Sequence, residues 1–214
     1  MDAFLFDLDG LLVDSEPMHY TAFTNTAKSF GYTVPWDFRT YCQKAHTQSL
    51  GLKKAFLELF PQAEDKWHEI YHQVKLNFSS LINMSPLELM PGVDEFLDML
   101  ILKDKKLAVV TNSSTPMVLA IMSKQPLLKK IPLWITREDY INAKPAPDGY
   151  LKALDILKIS PSRACGFEDS PRGVMSLKAA GVKHFHISPF SIGENNHFET
   201  IETLLKSPVV ETLF

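Results

Sequence analysis

Cysteine is scarce in this chain, with two residues in 214, Cys42 and Cys165. They fall in segments read below as different domains, so no structural disulfide is expected and a reducing cytoplasm is the default setting. Long apolar runs are missing too. No stretch approaches the ~20 apolar residues a membrane helix needs, and Asp2 and Asp7 interrupt the N-terminus too early for a signal-peptide core. The expectation is a soluble, unexported protein with no membrane partner. A net charge of −3 offers no basic footprint for nucleic acid or anionic lipid. Repeats, low-complexity tracts and long Gly/Ser linkers are also absent. What remains is ordinary globular composition, 45% hydrophobic and 22% charged. The length suits one enzyme-sized core plus a small module, domains holding roughly 100–200 residues.

The first ten residues carry the strongest signal. An apolar run, Ala3-Phe4-Leu5-Phe6, ends in Asp7-Leu8-Asp9-Gly10, which predicts a strand over 3–8 that delivers two carboxylates to its own end. Residues two apart on an extended chain share a side, so Asp7 and Asp9 are expected to face one site, and Gly10 permits a sharp turn. Ser15 then reads as the cap of a helix over 16–30, with Pro17 in its first turn. His19 lies on the apolar side of that helix with Ala22, Phe23, Ala27 and Phe30, and composition alone makes it a packing histidine.

From 33 to 83 the pattern is helical. Leu52, Ala55, Phe56, Leu59 and Phe60 form one stripe, and Trp67, Ile70, Tyr71, Val74, Phe78 and Leu81 another, all at spacings of three and four. Beyond Pro91-Gly92 helix and strand alternate: strands over 106–111, 133–136, 164–168 and 184–187, helices over 93–103, 115–124, 147–157 and 171–181. That alternation predicts a doubly wound, Rossmann-like α/β core with a parallel sheet. The opening strand has no crossover of its own before the helical stretch, so residues 1–14 and 86–214 form the core and residues 15–85 an inserted all-helical cap domain. Ligands of such sheets bind beyond the carboxyl ends of the strands. Asp7, Asp9, Thr111, Glu168 and Asp169 all sit at such ends.

Four carboxylates in one cleft repel each other unless cations join them, and hard oxygen ligands suit Mg²⁺. With Mg²⁺ and Lys144 counted, one negative charge remains, and protonating one carboxylate removes it. The crowding that raises a carboxyl pKa thereby also supplies a proton donor. Glu168-Asp169-Ser170-Pro171 reads equally as a helix N-terminus, with Ser170 capping and Pro171 first in the helix.

Four segments in order, Phe-Asp-Leu-Asp-Gly (6–10), Val-Thr-Asn-Ser (110–113), Lys-Pro-Ala-Pro-Asp (144–148) and Gly-Phe-Glu-Asp-Ser (166–170), give a chain that resembles the haloacid dehalogenase-like hydrolases, and within them the beta-phosphoglucomutase-like branch. The resemblance spans residues 2 to about 188. It implies that Asp7 attacks phosphorus and forms an aspartyl-phosphate, while Asp9 protonates the leaving oxygen, later deprotonates the attacking water or hydroxyl, and helps hold Mg²⁺ through its backbone carbonyl. Asp169 completes the metal ligands by the same resemblance, with Glu168 a direct or water-mediated partner. Thr111 and the backbone at Asn112 hold phosphoryl oxygens, and Lys144 neutralises charge on phosphate and nucleophile. A carboxylate suits the first role because it is ionised at neutral pH without a separate base.

Dehalogenation is disfavoured, since dehalogenases use no Mg²⁺ and lack the acid/base aspartate present here as Asp9. The related mutases clamp a second phosphate with a cap arginine, where this chain has Gln48 in Lys44-Ala45-His46-Thr47-Gln48, and Ser114 stands in place of a further lysine. His19 and Ser15 match retained neutral positions. Two missing cations favour a phosphatase of a small phosphorylated metabolite over a phosphomutase, with Lys75 and Arg39 as the cations available to substitute; a monomer is the separate expectation for its assembly. Ser15, His19, His46 and Gln48 are the expected cap and substrate contacts. A phosphate- or partner-binding protein without turnover is the reading from a different class.

Overall fold

The computed structural model describes residues 1–46 and 51–214. Six strands follow in chain order: β1 (Ala3–Phe6), β2 (Lys106–Val110), β3 (Leu133–Ile135), β4 (Ala164–Glu168), β5 (Lys183–Ile187) and β6 (His197–Phe198). Their order in the sheet is β3-β2-β1-β4-β5-β6, and every neighbouring pair is parallel. The order reverses at β1, which pairs with β2 on one side and β4 on the other. A crevice at such a reversal is where an open α/β sheet binds its ligand.

Nine helices join these strands among the described residues: α1 (Glu16–Ser29), α2 (Phe38–His46), α3 (Gly51–Leu59), α4 (Trp67–Met84), α5 (Val93–Leu102), α6 (Thr115–Lys124), α7 (Asp148–Leu157), α8 (Pro171–Ala179) and α9 (Ile201–Leu205). Side chains alternate across each strand and so build two cores. Phe4 and Phe6 share one layer with Phe96, Phe167 and Phe185. Ala3 and Leu5 share the other with Ala108, Val110, Tyr150 and Leu177. In the first layer Phe167 stacks between Phe6 at 5.2 Å and Phe185 at 5.4 Å. Gly166 on β4 admits α8 closely, since a Cβ there would lie 2.3 Å from Leu177 Cδ2. That approach packs the last turn of α8 against the middle of β4.

Helices α1 to α4 pack around Phe23 of α1. Its ring lies parallel to Trp36 at 6.1 Å and edge-on to Phe56 at 5.8 Å, with Tyr41 at 5.6 Å. The aromatic stripes of the sequence thus meet one another, as packing surfaces do. Cys42 and Cys165 are both buried and free. Among the described residues no helix is long and apolar enough to cross a membrane.

Three expectations need correction. The first strand ends at Phe6 rather than at 8, because the chain turns back on itself: Leu12 N–H donates to Leu8 O at 2.9 Å, Gly10 N–H to Val13 O at 2.9 Å, and Gly10 takes φ 75°. Ser15 makes no side-chain cap on α1; its hydroxyl is used elsewhere. Residues beyond 187, for which the pattern predicted no element, contain β6 and α9. A two-residue strand has no readable period, and α9 rests on a local capping box in which Thr203 N–H donates to Thr200 Oγ1 at 3.1 Å.

Candidate active site

Asp7 lies one residue past β1, and its N–H continues the ladder to Phe167 O at 3.1 Å. Its carboxylate is therefore presented at the carboxyl end of the central strand. Lys144 reaches it from the loop before α7, with Nζ donating to Asp7 Oδ1 at 2.7 Å, Glu168 Oε1 at 2.6 Å and Val110 O at 2.7 Å. These three bonds use all of the ammonium's donors. Lys144 is buried; burial works against its charge, but Asp7 and Glu168 outweigh it and raise its pKa.

Glu168 ends β4 and is wholly buried. Burial pushes its carboxyl upward and Asp7 pushes it further, while Lys144 opposes both. Tyr150 of α7 also donates to Oε1. Among the described residues the Oε2 of Glu168 is buried and has no hydrogen-bond partner. Asp169, the next residue, is 6% exposed, and His186 of β5 donates through Nε2 to its backbone carbonyl at 3.0 Å. Ser170 caps α8 by accepting from Gly173 N–H at 3.3 Å, with Pro171 next. The capping and acidic readings of this segment hold together.

Carboxylate oxygens of Asp7, Glu168 and Asp169 lie within 4.8 Å of one another. Set against Lys144, the three carboxylates carry two excess negative charges when ionised, and Glu168 Oε2 is an acceptor without a donor among the described residues. Buried charge of this kind demands a partner. A hard divalent cation fits the donor set, which is entirely oxygen.

The carboxylate of Asp9 is not among those three. Ser15 donates to its Oδ1 at 2.8 Å and Ser113 to its Oδ2 at 2.6 Å. This is where the Ser15 hydroxyl goes instead of capping α1. Burial pushes the Asp9 carboxyl up to about 6, the Asp7 charge adding and the two serine donors pulling back. A carboxyl so placed can hold or release a proton near neutral pH.

Thr111 is buried just past β2, and its Oγ1 accepts from Ser113 N–H at 2.9 Å. The Asn112 side chain is engaged structurally: its Oδ1 accepts from Tyr140 Oη at 2.7 Å and from Lys144 N–H at 3.3 Å. His19 shares a hydrogen bond with the Tyr41 hydroxyl and meets Phe78 edge-on at 5.0 Å. His46 is the last residue of α2; its side chain and Gln48 lie outside the described residues. Ser113, Tyr140 and Tyr150 were not singled out from sequence. Ser113 had a usable signal, its place in Thr111-Asn112-Ser113; Tyr150 had none, lying within an ordinary helical pattern.

The haloacid dehalogenase-like hydrolase family model matches residues 4–187, and the chain belongs to that family. Its branch holds CbbY proteins, beta-phosphoglucomutases and sugar phosphate phosphatases. It is 29% identical to a phosphorylated carbohydrates phosphatase of Thermotoga maritima, covering 87% of this chain and 84% of that one. It is 26% identical to the beta-phosphoglucomutase of Bacillus subtilis, over 85% and 81% of the two chains. The structure of CbbY from Rhodobacter sphaeroides in complex with phosphate superposes with a TM-score of 0.75 at 26% identity, covering 95% of this chain and 96% of that one. A mutant of the same CbbY is seen with xylulose-(1,5)bisphosphate. By this relationship the enzyme is an HAD-like phosphatase, a phosphoric monoester hydrolase.

Proposed function

We propose that this chain is a Mg²⁺-dependent phosphohydrolase of a small phosphorylated metabolite, a sugar phosphate or similar monoester, acting through an aspartyl-phosphate on Asp7. The observation that carries the reading is the division of labour between two neighbouring carboxylates. Asp7 is gripped by the Lys144 ammonium at 2.7 Å, which fixes the carboxylate at the strand end and sets a positive charge beside it. Asp9 is buried between two hydroxyl donors with its carboxyl pushed up to about 6, which suits an acid and base.

In the first step an Asp7 carboxylate oxygen bonds to phosphorus, the bond to the leaving oxygen breaks, and Asp9 gives that oxygen its proton. In the second a water attacks phosphorus, Asp9 takes the water's proton, and the acyl phosphate releases Asp7 and inorganic phosphate. Lys144 faces Asp7 through both steps, and Thr111 with the Asn112 backbone lines the side on which phosphoryl oxygens are held. Asp7, Asp169, Glu168 and the Asp9 backbone carbonyl would hold Mg²⁺, which when bound offsets the charge of the phosphoryl oxygens. Positioning and charge stabilisation carry most of such a transfer.

The division into a core of residues 1–14 and 86–214 and a helical cap of residues 15–85 belongs to this proposal. The cap supplies choice of substrate, with Ser15, His19, His46 and Gln48 as its contacts, and the enzyme works as a monomer in the cytoplasm. The second reading is a phosphomutase, favoured by likeness to the Bacillus subtilis enzyme and disfavoured by Gln48 and Ser114 where the mutases carry cations. A panel of phosphate esters on the purified protein, with and without Mg²⁺, tests the proposal. Metal-dependent phosphate release is expected. Interconversion of beta-glucose 1-phosphate and glucose 6-phosphate faster than any hydrolysis would establish the mutase, and no turnover of any ester would leave a binding protein.

A further inference from the structure

Tyr150 is the third residue of α7 and is fully buried. Gly149, just before it, has no side chain where one would collide with β2, a Cβ there lying 2.7 Å from Val110 Cγ1, so the first turn of α7 presses against the sheet. The loop leading into that turn is fastened at two points: Ser176 of α8 donates to Ala146 O at 2.6 Å, and Asn142 N–H donates to Asp148 Oδ2 at 3.0 Å. One short, braced segment thereby delivers two donors to a single atom. Lys144 Nζ donates to Glu168 Oε1 at 2.6 Å, and the Tyr150 hydroxyl donates to the same oxygen. The phenol ring also faces the ammonium, with Nζ 5.0 Å from its centroid.

A carboxylate oxygen has two lone-pair sites, and those of Oε1 are both taken. Among the described residues the Glu168 carboxylate has no further hydrogen bond, so its remaining acceptor capacity lies at Oε2, which is buried and without a donor. A buried acceptor in that state costs free energy until a partner arrives. Rotation about the last bond of a glutamate is soft; one donor leaves it so, whereas two donors converging on one oxygen stop it. The chemistry of the second donor matters as well. A phenol is neutral, so it holds the carboxylate without cancelling the negative charge that Asp7, Glu168 and Asp169 offer a cation, which a second lysine would cancel.

We propose that Tyr150 is a positioning residue for the metal: with Lys144 it saturates Oε1 of Glu168 and so keeps Oε2 as the oxygen offered to Mg²⁺, directly or through a water. This rests on the metal-dependent reading above. Tyr150→Phe deletes the hydroxyl and keeps the ring that faces Lys144. Calorimetric titration of the variant with Mg²⁺ should give a Kd about tenfold or more above the parent's, the usual effect of removing a hydrogen-bond partner of a metal ligand. Tyr140→Phe is the control, since that phenol is also buried beside the site but donates to Thr111 O and Asn112 Oδ1, at 2.7 Å each. Its Mg²⁺ Kd should stay at the parent's value.

An unchanged or lower Kd in Tyr150→Phe overturns the inference, whatever stability the metal-free variant loses, because the hydroxyl then serves only its own burial. An equal rise in Tyr140→Phe overturns it too, by showing a general loosening of the site. If Tyr150→Phe folds poorly, the parent decides alone: with isotope-labelled tyrosine, the Tyr150 Cζ resonance should move with added Mg²⁺ along the calorimetric curve, and a resonance that stays still overturns the inference. A parent that binds Mg²⁺ with no effect of the Tyr150 hydroxyl leaves the metal-dependent phosphatase standing and removes only the role of Tyr150, whereas a parent that binds no Mg²⁺ removes both.

Discussion

Gly173 sits in the first turn of α8, where helix propensity alone says that alanine should stabilise by up to about 1 kcal/mol. The structure reverses that sign. A Cβ on Gly173 would lie 1.9 Å from Glu168 Oε2, 2.0 Å from Cδ and 2.3 Å from Oε1, so the carboxylate must retreat by more than 1 Å, given ordinary contact distances. A flexible glutamate would do so cheaply, but this one is wholly buried and held by Lys144 at 2.6 Å and by Tyr150. Retreat breaks a buried ion pair, which costs about 3–5 kcal/mol. After the helix gain, Gly173→Ala should lose about 2–4 kcal/mol, read from guanidinium unfolding of the metal-free protein. It should also weaken Mg²⁺ binding, measured by calorimetry. Adding Glu168→Ala removes the obstacle, so the double variant should lose less than the two singles together. Gly173→Ala as stable as the parent, or more so, would refute the reasoning, because it would mean that Glu168 is not held where the cluster needs it.

Asp7→Asn should abolish turnover with the fold intact by circular dichroism, while Asp9→Asn should slow esters of poor leaving groups far more than those of good ones; activity in Asp7→Asn would sink the covalent route. Exhaustive chelation should stop hydrolysis, and Ca²⁺, larger and less strict in geometry, should bind yet inhibit; full activity after chelation counts against the cluster. The Asp9 carboxyl stands at about 6 in the folded protein against about 3.9 unfolded, so its contribution to stability is complete below the unfolded value and is lost as pH rises through the folded one. Ser113→Ala removes a donor that favours the charged form, so the Asp9 titration, followed by NMR in the metal-free protein, should move to higher pH; a downward shift would show that Ser113 does not act on Asp9.

Much of this molecule was readable one stretch at a time. Alternating apolar and polar stretches predicted β1, β2, β4 and α6 within a residue or two, because strand and helix periods are properties of a few neighbouring residues. Asp7, Asp9, Lys144, Glu168 and Asp169 were legible because each closes or follows an apolar segment in a recognisable order. What only the tertiary structure decided is which of these groups meet. Ser113 and Asp9 follow different strands, and no local pattern states that the hydroxyl holds the carboxylate. Ser15 carried a cap signal that was real as chemistry, but the hydroxyl found a buried acid instead of its own helix. Tyr150 on Glu168 had no sequence signature, since a helical residue that turns toward a site looks like any other. Periodicity encodes which side of an element is buried; the partner met there depends on the packing of elements far apart in the chain, and that packing is what brings Asp9 to its two serines and Lys144 to the acidic cluster.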